Sequence, residues 1–225
     1  MKSIDDISID ILIRRSGRSM SLRITEDNLL EIRAPRIMPL FMIRRFVESK
    51  KSWIIRTRKK FLNKPKVRHI QYCEGEDVYL TGKKYTLHIT KGNAIVLAGQ
   101  RIFFPERFVS KAKVHMEKWL RILAKKVLTE RLNIYASTMG VSYKKITIRD
   151  TSTRWGSCSS TGTISFSYRL ILAELSIIDY VVIHELAHIT HHNHKQIFWD
   201  CVSLFYPEYK TARIWLREHG STLRI

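Results

Sequence analysis

The sequence predicts an α+β protein, and three observations carry that reading. Short runs of alternating apolar and polar residues fill much of residues 7–34 and 77–104, a long apolar stripe of helical period occupies residues 106–138, and three further helical stretches run to the last residue. With 225 residues, 44% of them hydrophobic, the chain can bury an ordinary core as one sizeable domain or two small ones.

In chain order, residues 7–13, 19–24 and 29–34 read as half-buried strands of a meander, with Leu22, Ile24, Leu30 and Ile32 marking the buried face. Pro35 and Pro39 punctuate. Residues 40–62 set Phe46, Val47, Trp53, Ile54 and Phe61 among arginines and lysines, which predicts a basic amphipathic helix. Four strands follow at 77–80, 85–89, 94–97 and 101–104, separated by Gly82, Gly92 and Gly99. The helix over residues 106–138 has Val114, Trp119, Ile122, Leu123, Val127, Leu128, Leu132 and Tyr135 on its stripe, with Gly140 as terminator. A strand at 145–149, a glycine-containing turn and a strand at 163–167 lead into the final helices. The organisation expected is an N-terminal, β-rich α+β part at residues 1–104 and a second domain at 105–225.

No apolar run approaches the roughly 20 residues that span a bilayer, and the first ten residues carry acids where a signal peptide carries bases. A cytoplasmic protein without a membrane partner is expected. Cys73, Cys158 and Cys201 lie too far apart for a disulfide framework or a zinc knuckle, which suits a reducing compartment. The 40 Lys and Arg against 20 Asp and Glu give a net charge of +20 and a pI near 10.1, a field that attracts polyanions such as nucleic acid without specifying one. The oligomeric state is left open.

The chemistry lies at residues 181–194. Val181-Val182-Ile183-His184-Glu185-Leu186-Ala187-His188 contains H-E-x-x-H in an apolar helical context that begins after Asp179. Side chains four apart project from one face of a helix, so His184 and His188 can bind one tetrahedral ion, while Glu185 reaches water beside the ion as a general base. A catalytic zinc site requires a third protein ligand and keeps a fourth position for water. His191, His192, His194 and His219 are the nearby histidines, and Glu174, Asp179 and Asp200 the possible carboxylates. His194 is favoured, because Asn193 can end the helix or adopt a left-handed conformation and let the next residue return to the metal. His191, on nearly the same face as His188, comes second. Zinc is the expected ion, although nickel or copper also suit three imidazoles.

These residues, with Arg154-Trp155-Gly156-Ser157-Cys158 and with Asn193-His194 followed by Phe198-Trp199, resemble the YgjP-like metallopeptidase family. The resemblance extends to Arg14-Arg15-Ser16, residues 46–53 and Gly82-Lys83-Lys84-Tyr85. It implies a zincin-like minimal metallopeptidase core, similar in local pattern to SprT-like and other gluzincin-like cores, with one zinc ion on His184, His188 and His194 and Glu185 as catalytic base. The implied substrate is a protein or peptide. Arg154–Cys158 would be a turn feeding a strand, with an edge strand near the metal aligning an extended substrate. Trp155 and Phe166 are read as core beneath the helix, and Phe198, Trp199, Leu204 and Phe205 as packing of the next helix. Candidates for oxyanion or substrate contact are His191, Arg154, Tyr168 and Arg169. The competing expectation is a nucleic-acid-binding protein with a structural zinc site and no proteolysis; a peptidase localised by nucleic acid joins the two.

Overall fold

The computed structural model describes residues 7–25, 27–62, 70–151 and 153–225, and the side chains of residues 60–62 lie outside the description. By packing, the chain divides into two compact units, Met1–Pro65 and Lys66–Ile225.

In the first unit β3 (Leu30–Pro35) is the most buried strand, with Leu30, Ile32 and Ala34 fully shielded, and it takes the centre of a three-stranded sheet. β2 (Ser21–Ile24) pairs with it antiparallel, but β1 (Ile11–Arg15) pairs with it in parallel, so the expected meander is not formed. Alternation reports which face of a strand is buried, not which neighbour it chooses. The basic segment forms two helices, α1 (Leu40–Ser49) and α2 (Lys51–Leu62), broken at Lys50, where the backbone leaves the helical region at φ −107° and ψ 9°. Ile43, Val47 and Ile54 join the strands in this unit's own core. Phe61, counted among its apolar positions, falls outside the described side chains.

The second unit opens with β4 (Asp77–Leu80), β5 (Lys83–Thr90), β6 (Val96–Ala98) and β7 (Arg101–Pro105), in the order β4-β5-β7-β6. Val78, Leu80, Leu87, Ile102 and Phe104 from this sheet belong to the same core as the long helix α3 (Ala112–Met139). That shared core is why the compact units part at 65/66, earlier than the boundary near residue 105 read from the sequence. A 3-10 segment, Glu106–Lys111, occupies the start of the expected long helix. The face of α3 that is buried runs through Met116, Leu120, Ala124, Leu128 and Leu132, in steps of four, whereas Val114 and Ile122 are each 64% exposed. Gly140 ends the helix in the left-handed region, at φ 65°, the conformation glycine adopts without a Cβ penalty.

The last third carries the site. β8 (Lys145–Arg149), β9 (Gly156–Cys158) and β10 (Thr163–Ser167) form a sheet in the order β8-β10-β9, β10 running parallel to β8 and antiparallel to β9. The segment expected as a turn is therefore an edge strand. α4 (Leu175–Thr190) packs on β9 and α3, and is joined by α5 (Gln196–Phe205) and α6 (Tyr209–His219). α4 begins at Leu175, before Asp179, whose carboxylate lies inside the fold and accepts from Arg131 of α3 at 2.6 and 2.7 Å. No helix among the described residues is long and apolar enough to cross a membrane.

Candidate functional site

One residue after α4 ends, His191 turns extended (φ −128°, ψ 93°), and its carbonyl accepts a hydrogen bond at 3.0 Å from Nδ1 of His188. This fixes the His188 proton on Nδ1 and turns Nε2 free, the arrangement that orients a metal-ligating imidazole. The chain then reverses through residues 192–195, where Asn193 Oδ1 accepts from the Lys195 backbone at 3.2 Å. Asn193 is not left-handed; the reversal comes from the extended His191 and from that side-chain bond. It returns His194 to α4, with its Nε2 3.2 Å from Nε2 of His184. One nitrogen from each of His184, His188 and His194 lies within 4.8 Å of the others. Beneath all three, the fully buried Phe198 of α5 sets its ring 4.9, 4.6 and 4.7 Å from theirs.

The donor set suits a metal ion. Two nitrogens held at about 2.0–2.1 Å by one tetrahedral zinc stand about 3.3 Å apart, close to the observed His184–His194 spacing. Burial pushes the His184 imidazole down to about 3, with His188, His194 and Arg213 acting in the same direction, and burial also lowers His188. Both are thereby kept in the neutral form that binds metals. Among the described residues, Nδ1 of His184 is buried without a hydrogen-bond partner. Glu185, 5% exposed, is pushed up to about 8 by burial, opposed by Arg154. A cation in the neighbouring imidazole site pulls in the same direction as Arg154. The Glu185 carboxylate rests against the backbone of β9, where a Cβ on Gly156 would lie 2.5 Å from Oε1.

Residues 18–219 match the profile of a family described as YgjP-like, metallopeptidase domain. The chain belongs to the YgjP-like metallopeptidase family. Among solved structures it is similar to the metallopeptidase zymogen abylysin of Pyrococcus abyssi, with 26% identity and a TM-score of 0.37 over 40% of this chain and 93% of that one. It is also similar to the metallopeptidase zymogen jannalysin of Methanocaldococcus jannaschii, with 18% identity and a TM-score of 0.35 over 40% of this chain and 91% of that one. No curated protein matches it.

Within this YgjP-like chain, a cleft of about 490 Å³ opens beside the three imidazoles and is lined by Gly156, Ser157, Cys158 and Glu185. Of the residues expected from sequence, His184, Glu185, His188 and His194 meet here, and Arg154 lines an adjoining cavity that also touches Glu185. His191 contributes its carbonyl rather than its ring. Tyr168 and Arg169 are not brought to the cleft. Tyr168 is fully buried between the guanidiniums of Arg121 and Arg169, 4.6 and 5.0 Å from its ring, and Arg169 is held by Asp150 at 3.0 Å. Phe166 and Phe198 are core as expected, while Leu204 is 74% exposed. Sequence reasoning missed Gly156 as the support of Glu185, and Tyr180, Arg213 and Arg217 as walls of the adjoining cavity. Tyr180 precedes His184 by one helical turn and was within reach of the spacing argument; the arginines come from α6, which no local pattern ties to α4.

Proposed function

We propose that the chain is a zinc-dependent peptidase in which His184, His188 and His194 hold one ion and Glu185 is the general base. The observation that carries this reading is the convergence of three imidazole nitrogens within 4.8 Å beside a buried carboxylate. The metal group among the described residues contains three ligands and no fourth, which favours an open, catalytic site over a closed structural one. Zinc, when bound, supplies Lewis acidity that polarises a carbonyl and brings the pKa of water to about 7.

The rest is work for the chain's own side chains. Glu185 accepts the proton of the attacking water and passes it to the leaving amine, and its partly desolvated carboxylate has the basicity for both transfers near neutrality. Among the described residues β9 lies at the edge of its sheet and its residues line the cleft, so a substrate in extended form can align along it, which suits a protein or peptide of varied sequence. Arg154 is the described candidate for steadying developing negative charge.

Metal content by mass spectrometry, measured beside peptide hydrolysis, tests the assignment. Near-stoichiometric zinc is expected in the parent and in Glu185→Gln, and its loss in His194→Ala. Hydrolysis should fall in Glu185→Gln by about 10²- to 10⁴-fold, the usual contribution of a general base. A Glu185→Gln protein as active as the parent would sink the mechanism. A second reading, association with nucleic acid, is favoured by the +20 charge; binding that does not weaken as salt rises from about 50 to 200 mM would count against it.

A further inference from the structure

A second cavity, of about 340 Å³, shares Gly156, His184 and Glu185 with the cleft of the three imidazoles. Its wall is apolar, from Trp155, Val181 and Leu216. Trp155 is pinned there by Gly220, where a Cβ would come 2.8 Å from the indole Cζ2. Around this wall stand three guanidinium groups: Arg154 from the segment before β9, and Arg213 and Arg217 one turn apart on α6. Arg213 is steadied by the face of Trp199, 4.9 Å away, which stacks in turn on Tyr209.

The charges do not balance within the chain. Among the described residues neither Arg154 nor Arg213 makes an ion pair, and Arg217 reaches only its neighbour Glu218 at 3.7 Å with both side chains well exposed, a contact that holds it weakly. Among the described residues the one carboxylate lining the cavity is Glu185, the proposed general base. Three exposed cations around an apolar wall, in a cavity that also reaches the Glu185 carboxylate, can receive an anionic group from outside, and a planar carboxylate matches the guanidinium fork.

We infer that this cavity is a subsite selecting a carboxylate on the substrate next to the scissile bond, either an Asp or Glu side chain or the terminal carboxylate of the peptide, through Arg154, Arg213 and Arg217. The inference rests on the peptidase reading for its place in catalysis, but the site itself is testable by binding alone.

The probes are one host peptide, blocked at both ends, with Glu, Gln or Lys scanned through its central positions, and the same host as free acid or amide. kcat/KM is measured on the zinc-loaded full chain, and Kd by calorimetry on the zinc-loaded Glu185→Gln chain. Glu over Gln, or acid over amide, should be preferred by about ten- to a hundredfold, the range of a charged hydrogen bond, with Lys poorest. The Arg213→Gln/Arg217→Gln double variant should bring that ratio towards one, its zinc content and circular dichroism showing that it has folded. Preference confined to the first series assigns an acidic side chain, and to the second a chain end. Equal affinities in both series overturn the subsite, as does a preference that survives in the folded double variant. If that variant does not fold, the parent's own Glu, Gln and Lys series decides. Binding preference without any cleavage would uphold the subsite and sink the peptidase reading.

Discussion

Gly156 is demanded by what lies against it. A Cβ there would sit 2.5, 2.6 and 2.7 Å from Oε1, Cγ and Cδ of Glu185, closer than any real Cβ contact, so alanine at this position must push the carboxylate or the strand aside. Gly156→Ala should therefore lower kcat/KM by about a hundredfold, the scale of an ångström's misplacement at a reacting group, while zinc content stays at the parent's level. An alanine variant with parental activity would show that Glu185 is not held where catalysis needs it. The sequence displays Arg154-Trp155-Gly156-Ser157-Cys158 plainly, yet nothing in it says that the glycine abuts Glu185, because that contact joins an edge strand to a helix far along the chain. Tyr168 teaches the opposite lesson: a phenol near the motif in sequence is pushed up to about 12 by burial and sits in the core, away from the cleft.

Helices and strands were legible where a local pattern dictates them. His184 and His188 share a face because a helix repeats every 3.6 residues, and Gly140 ends α3 because glycine accepts φ 65°. Pairing and facing were less legible. α3 has apolar residues on several sides, so the choice of Met116, Leu120, Ala124, Leu128 and Leu132 for burial depends on α4, the Tyr168–Leu172 segment and β8, which pack against it, not on its own sequence. The same holds for α5, whose register under α4 is set by Phe198. Its ring lies within 5 Å of all three imidazole rings, so it supports the three proposed metal ligands as well as filling the core. Phe198→Ala should destabilise the protein by about 3–5 kcal/mol, as for other large-to-small core changes, read by urea unfolding in the presence of chelator. It should also weaken zinc affinity by about 10–100-fold, the usual effect of loosening the groups behind metal ligands, read by competition with a chromogenic chelator. Lost stability with parental zinc affinity would confine Phe198 to packing.

The three imidazoles belong to one compact unit, Lys66–Ile225, but to two stretches of it, the face of α4 and the turn before α5. In the unfolded chain nothing holds them together, so a metal that binds them binds the folded unit preferentially and must stabilise it. At a free zinc concentration of a hundred times Kd the gain is about 2.7 kcal/mol. For a unit of this size that corresponds to a rise in Tm of about 5–10 °C. Calorimetry with zinc and with chelator should show this rise in the parent and in Glu185→Gln, whose ligand set is intact, and should show it largely abolished in His194→Ala. The comparison separates the proposed site from the exposed His192 and partly buried His191 close by, which could also take up metal. A rise of the same size in His194→Ala would place the ion elsewhere on the chain, and with it the water that Glu185 is proposed to activate. A rise confined to proteins that retain His194 would tie the bound metal to the stability of the fold through the cleft between α4 and β9.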